Sequence, residues 1–415
     1  MQMLKTHETI AGNPVEGNWI LVNQQLQQLL DNKNKVQPAE DIELEQAVAI
    51  AIQVLQTGDF QTRWDVAKIF PRIGKKAIVP LLKILEDESA DLEIRWFALR
   101  ILGEFNQPQV VISLVRLLEE TEEEELAIAS AQALAKIGQP AIAALIELLK
   151  DEKSRLLAVK SLAQIRRCEI IEPLLSVVDD CTAEVRFSAV EALSSFHQKH
   201  LIPVFITALK DVSAKVRKEA IIALKMRAEF KDEFDLVNYL QPLLYDINSQ
   251  VSQEAILALG RMGDEAAIRA LFELLNYNQA PLFLKQEAVR ALNWSGTYQA
   301  LDFLKYCLYS SDVALREEII TVLGRQESIE LKSYSNQILI DFLKSNQEIE
   351  HQPQIKQAIA TSLGELGDSS ALTHLEKLAF DDNSRVRLHA KAAIKKLTTN
   401  HGTLIYDNPC GKRDF

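Results

Sequence analysis

The sequence predicts an all-α fold, a right-handed α-α superhelix of about eleven helical hairpins, from three observations. The stretch Asp180–Phe196, DCTAEVRFSAVEALSSF, places apolar residues at i, i+3, i+4 and i+7, which describes one face of an amphipathic helix. The same face returns at a nearly fixed interval. Its anchor position is Phe70, Leu102, Leu134, Leu162, Leu193, Leu224, Leu259, Leu292, Leu323, Leu363 and Ile394, with successive gaps of 28 to 40 residues. Recurrence at such a period marks a repeat array. Finally, nine of the eleven residues seven places before an anchor are Lys or Arg, a regularity chance does not supply.

Taken in order, residues 1–17 are expected to form a flexible arm. Residues 18–38 supply a capping helix (NWILVNQQLQQLL) and a polar break, the cap covering an apolar face that an end repeat otherwise exposes. Ile42–Gln56 opens the first hairpin. From there each unit pairs a first helix, such as AIVPLLKIL (77–85), with a second helix carrying the anchor. Pro80, Pro173, Pro203 and Pro242 sit early in first helices, where a missing N–H costs nothing. An Asp follows most first helices (Asp87, Asp151, Asp180, Asp211, Asp246, Asp312, Asp381), placed to cap the next helix and to face a basic residue. The 35-residue gap before Leu259 and the 40-residue gap before Leu363 are expected to lengthen loops. The array ends at 397, and 398–415, with two Gly and a Pro, is expected to be a disordered tail.

No apolar run reaches the roughly 18 residues of a membrane helix, so no membrane insertion is expected. The N-terminus has neither a signal-peptide nor a transit-peptide pattern. Four cysteines form no CxxC pair, which suits a reducing, cytoplasmic setting. A net charge of −12 disfavours nucleic acid as a partner, since that requires neutralising phosphates.

The VRxxAxxAL helices, with ALGRMGDEAAIRALFELL (258–275) and SLGELGDSSALTHLEKLAFDDNSRVRLHAKAAI (362–394), resemble the HEAT-repeat family over about residues 40–397. In particular they are similar to the phycobilisome-lyase type of HEAT-like repeat of cyanobacteria. Relatives of that type include E/F-type bilin lyases and the IscA-interacting HEAT-repeat proteins linked to iron–sulfur cluster assembly. The resemblance implies a non-catalytic scaffold or adaptor, with a role in iron–sulfur or phycobilisome assembly as its specific form. The alternative it implies is a bilin lyase, with a phycobilin as bound substrate. No catalytic residue carries over, and no other cofactor is expected.

Two stripes of residues are candidates for function. The basic ladder, including Arg95, Arg186, Arg217, Arg316 and Arg387, lies nearly on the anchor's face and reads as a structural link between repeats, made with turn residues such as Asp180 and Asp211. Positions six before, two before and two after the anchor form a separate ridge. It carries Trp64, Lys68, Arg72, Trp96, Arg100, Lys136, Lys160, Phe187, Arg261, Arg290, Trp294 and Arg325, and counts ten basic against four acidic residues. The family resemblance implies that second helices line the concave surface, so this ridge is the expected docking face for a protein partner with an acidic surface. Of seven histidines only His7 is followed by Glu, so no metal site is expected. Cys168 and Cys181 flank one helix about 15 Å long and are not expected to bridge. Cys410 is the exposed thiol to watch. The run Glu119–Glu125 reads as a solvated connection.

Overall fold

The structure, a computed structural model, describes residues 40–345 and 352–403. The expected arm, cap and polar break, most of the tail, Cys410 and His7 lie outside them. Every regular element among the described residues is helical. The chain divides into two compact units that meet between Phe196 and His197.

The first unit comprises α1 (Glu40–Thr57), α2 (Phe60–Ala67), α3 (Phe70–Ile73), α4 (Ile78–Glu86), α5 (Leu92–Leu102), α6 (Pro108–Glu120), α7 (Glu124–Ile137), α8 (Ile142–Leu148), α9 (Arg155–Ile165), α10 (Ile171–Leu175) and α11 (Ala183–Ser194). Its second helices stack in series, α5 on α7, α7 on α9 and α9 on α11. The first helices α4, α6 and α8 form the other layer. The second unit holds α12 (Ile202–Ala208), α13 (Ala214–Lys225), α14 (Lys231–Phe234), α15 (Leu236–Leu240), α16 (Ser249–Met262), α17 (Glu265–Asn276), α18 (Leu282–Trp294), α19 (Tyr298–Ser310), α20 (Val313–Leu323), α21 (Ile329–Ser345), α22 (Pro353–Leu366), α23 (Leu372–Leu378) and α24 (Ser384–Thr403). Here α13, α16, α18, α20, α22 and α24 stack in series.

The anchors are the core. From Phe70 to Leu363 each is fully buried, and a buried side chain of that size contributes about 1.5–3 kcal/mol. Ile394 is only half-buried, because no further described hairpin covers α24. Several first helices open with a 3-10 turn (Lys75–Ala77, Gln139–Ala141, Cys168–Ile170, Lys199–Leu201), and Pro80, Pro173 and Pro203 fall in the first α-helical turn, where no N–H is needed.

Glycine follows the anchor in four hairpins, and there successive second helices approach closely. A Cβ on Gly260 falls 2.9 Å from the Ala291 Cβ, and one on Gly324 falls 2.7 Å from Ser362. Gly103 and Gly364 face Ala133 and Ala393 in the same way. The contacted residue is always the one before the next anchor, so small residues meet in a fixed register.

Three expectations change. The segment after Leu224 is no longer loop: it folds into a 3-10 turn, α14 and α15, over the fully buried Arg227. The guanidinium of Arg227 donates to the Ala223 carbonyl (2.6 Å) and lies 4.7 Å from the Phe205 ring centre, while burial pushes its pKa below the ordinary value. Part of the later 40-residue gap is likewise helix, as α21 runs for 17 residues. At the C-terminal end α24 continues to Thr403, past the expected boundary at 397, although residues 398–403 (TTNHGT) carry no apolar periodicity.

Candidate functional site

The basic ladder performs two tasks at once. Arg217 donates to the Asp211 and Val212 carbonyls in the turn after its own first helix, at 2.7 and 3.1 Å. It also makes a bidentate pair with Asp246 of the next hairpin, both bonds 2.7 Å. Arg155 repeats this with the Leu149 carbonyl and Asp180, each at 2.7 Å. Arg186, Arg316 and Arg387 hold carbonyls of the preceding turn, at Asp180, Ser311 and Asp381, and Arg95 holds that of Leu85. Leu85, Leu149 and Ser311 sit at helix ends, where carbonyls lack an intrahelical partner, and the other carbonyls belong to the turn that follows. Ser252, where the ladder lacks a cation, donates to the Asp246 carbonyl in the same way (3.1 Å). The turn carboxylates brace the turn more than they cap the helix: Asp180, Asp211 and Asp246 accept from the N–H two residues on. Burial pushes the Asp180 carboxyl up, but the Thr182 N–H and Arg155 outweigh it and hold the pKa below its ordinary 3.8.

On the ridge, the first unit brings aromatic and basic residues together. Asp59 caps α2 by accepting from the Thr62 N–H (2.8 Å), and Asp91 caps α5 by accepting from Glu93 (2.8 Å). These adjacent helices carry Trp64 and Trp96 at the same register. Arg100 lies between them, its guanidinium carbon 4.0 Å from the centre of the Trp64 ring and 5.8 Å from that of Trp96. Phe60 stacks on Trp64 with ring centres 6.1 Å apart. Trp96, Arg100, Ala129, Gln132, Ala133 and Lys136 line a cleft of about 100 Å³.

Four ridge cations are charge-compensated. Lys68 pairs with Asp65 (3.0 Å), Lys136 with Glu104 (2.5 Å), Lys396 with Glu365 (2.5 Å) and Arg290 with both Glu287 and Glu318 (2.8 Å each). The hydrogen bond that Arg290 donates to Glu318 is the main cause that raises the Arg290 pKa. Asp65, Glu287 and Glu318 occupy the position five before an anchor, which the sequence count of ten bases against four acids omits. Lys160, Arg72, Arg261 and Arg325 are exposed and Phe187 is half-buried. Trp294 is 69% exposed, the most open of the ridge aromatics. Arg325 joins Glu317, Thr321, Gln357, Thr361, Glu365 and His389 in a polar groove of about 460 Å³.

Among the described residues no group of His, Cys, Asp and Glu is arranged to hold a metal ion, and no helix is long and apolar enough to cross a membrane. Cys168 and Cys181 are exposed, whereas Cys307 is buried and its thiol is pushed up to about 11 by that burial.

A family model described as HEAT repeats matches residues 78–157, 142–225, 202–293 and 306–395, together more than half of the chain. The chain is similar to Kap95p in its structure with RanGDP, at 14% identity and a TM-score of 0.54, covering 90% of this chain and 60% of that one. It is similar also to the karyopherin Kap121p bound to the extreme C-terminus of the protein phosphatase Cdc14p, at 14% identity and a TM-score of 0.50, covering 95% of this chain and 53% of that one. It thus spans less than two thirds of either chain. Human deoxyhypusine hydroxylase is a third similar structure, at 19% identity and a TM-score of 0.28, covering 78% of this chain and 96% of that one. No curated protein matches the sequence. The repeated hairpins, their buried anchors and the extent of the family match lead to one assignment: the chain belongs to the HEAT-repeat family.

Proposed function

We propose that this protein is a non-catalytic scaffold that binds another protein through the ridge of its second helices. The observation that carries the reading is the Trp64–Arg100–Trp96 cluster, where two half-buried indoles flank an exposed arginine beside a cleft. Rigid aromatics beside arginine are what binding hot spots are made of. The two karyopherin structures it resembles are described as bound to other proteins, RanGDP and the Cdc14p C-terminus, which agrees with the reading while their likeness speaks for fold alone. The specific form of the proposal is an assembly or maturation factor working in the cytoplasm. It is tested by capturing proteins from native extract, purifying each, and measuring its binding to wild type and to Trp96→Ala/Arg100→Ala with folding checked by circular dichroism. A purified partner that binds both equally removes the ridge as the docking face. The bilin-lyase alternative is separated by titration with phycocyanobilin. A shift of its visible band on binding favours the lyase, and an unshifted band leaves the scaffold.

A further inference from the structure

The repeats supply their own comparison for each ridge cation. Two residues before the anchor stand Arg290 in α18 and Arg100 in α5, in the same register. The Arg290 guanidinium is neutralised by two carboxylates: Glu287 one turn earlier on its own helix, and Glu318 from the next second helix, each at 2.8 Å. Counted from their own anchors, the corresponding residues around Arg100 are Phe97 and Ala129. A phenyl ring and a methyl group therefore stand where the other repeat carries its acids. Ala129 is 7% exposed and lines the cleft beside Arg100.

Three further acids of the neighbouring second helices are engaged elsewhere, while Glu124 and Glu125 stand in the first turn of α7. Glu93 pairs with Arg63 (2.5 Å), Glu104 with Lys136 (2.5 Å) and Asp65 with Lys68 and Gln61. Among the described residues Arg100 makes no ion pair or side-chain hydrogen bond and stands against the two indoles. An indole covering one face leaves the in-plane N–H edge of a guanidinium for recognition, and that edge matches a planar carboxylate. The cleft, at about 100 Å³, has room for a few waters, hence for one short acidic side chain in their place.

We infer that Arg100, held between Trp64 and Trp96, is the receptor for a side-chain carboxylate of an acidic peptide segment on the partner, seated over Ala129 as the Glu318 carboxylate is seated against Arg290. The inference rests on the protein-binding reading and narrows it: the docking specificity lies at this cluster, because Arg100 is the ridge cation set against two aromatic rings among the described residues, while Lys68, Lys136, Lys396 and Arg290 are already paired with the protein's own acids.

The test is a titration of the full chain with an acetylated, amidated glutamate-rich peptide, with its glutamine counterpart as control, followed by tryptophan fluorescence. Wild type is expected to bind the glutamate peptide and to release it as salt is raised. Arg100→Gln removes the receptor and is expected to weaken binding by at least about tenfold, the usual weight of a charge-assisted bidentate pair. Ala129→Glu places an internal carboxylate where the peptide's would sit and is expected to weaken it comparably. Arg290→Gln, at an already neutralised site, is expected to leave it unchanged. No binding by wild type, equal binding of the glutamine peptide, an unaffected Arg100→Gln, or preference for a single-stranded oligonucleotide overturns the inference. If Trp96→Ala/Arg100→Ala loses a purified partner while wild type ignores the peptide, the scaffold reading stands and the carboxylate assignment falls.

Discussion

Arg217→Ala is the sharpest test of how the hairpins are joined. The wild-type side chain is 12% exposed and its partner Asp246 is 7% exposed. Truncation removes the bidentate pair and also strips the Asp211 and Val212 carbonyls of their donor. Breaking a buried pair by removing one member costs about 3–5 kcal/mol, since the remaining charge stays buried without compensation. Asp246 still accepts from the Asn248 N–H (2.8 Å), which argues for the lower end, about 3 kcal/mol. The reference is Arg116→Ala. Arg116 reaches Glu86 over the same 2.7 Å, but the two side chains are 55% and 49% exposed. Exposed pairs contribute only about 0–1 kcal/mol. Native-state hydrogen exchange reads the difference locally. Amides of α13 and α16 are expected to exchange about a hundredfold faster in Arg217→Ala, since about 1.4 kcal/mol is a factor of ten. In Arg116→Ala, amides of α4 and α6 are expected to change by less than about fivefold. Equal effects from the two substitutions would refute the assignment of the ladder as the inter-repeat link.

Two further outcomes follow from the same geometry. Gly324→Ala drives a Cβ to 2.7 Å from Ser362 and is expected to destabilise the second unit by about 1–3 kcal/mol, read by urea unfolding, as overpacking does. Ala at Gly103, whose Cβ would meet Ala133 at 3.1 Å, is expected to cost less, and the reverse order would count against the close-approach reading. The second concerns acid. Asp180 has a folded pKa held below 3.8, so its contribution is complete above that value and is lost as pH falls through the folded pKa. Acid unfolding of wild type is therefore expected to be steeper below about pH 4 than that of Asp180→Asn, and identical profiles would exclude this carboxylate as a contributor.

The hairpins and their anchors were legible because they are written in local periodicity: a residue that recurs every turn of a helix declares its face, and Phe70 through Leu363 are buried as that pattern requires. The ladder was legible as a position but not as a set of bonds. Carbonyl groups carry no sequence signature, so nothing before the fold indicates that Arg217 grips Asp211 and Val212 as well as a carboxylate. Arg227 was missed outright. An arginine inside an irregular insertion reads as surface until α14 and α15 close over it. The glycines after the anchors were visible in sequence, yet their meaning depends on the residue opposite, roughly a repeat away.

What the amino-acid order determined by itself is the repeat, the helix pairs and the residues that line each face, since all of these depend on neighbours within a few turns. Only the tertiary structure decided which charges remain available. Arg100 and Arg290 are equivalent in register, but one meets Ala129 and the other Glu318, and those partners arrive from the next hairpin, 29 and 28 residues along the chain. Electrostatic compensation depends on distance in space, and stacking sets that distance.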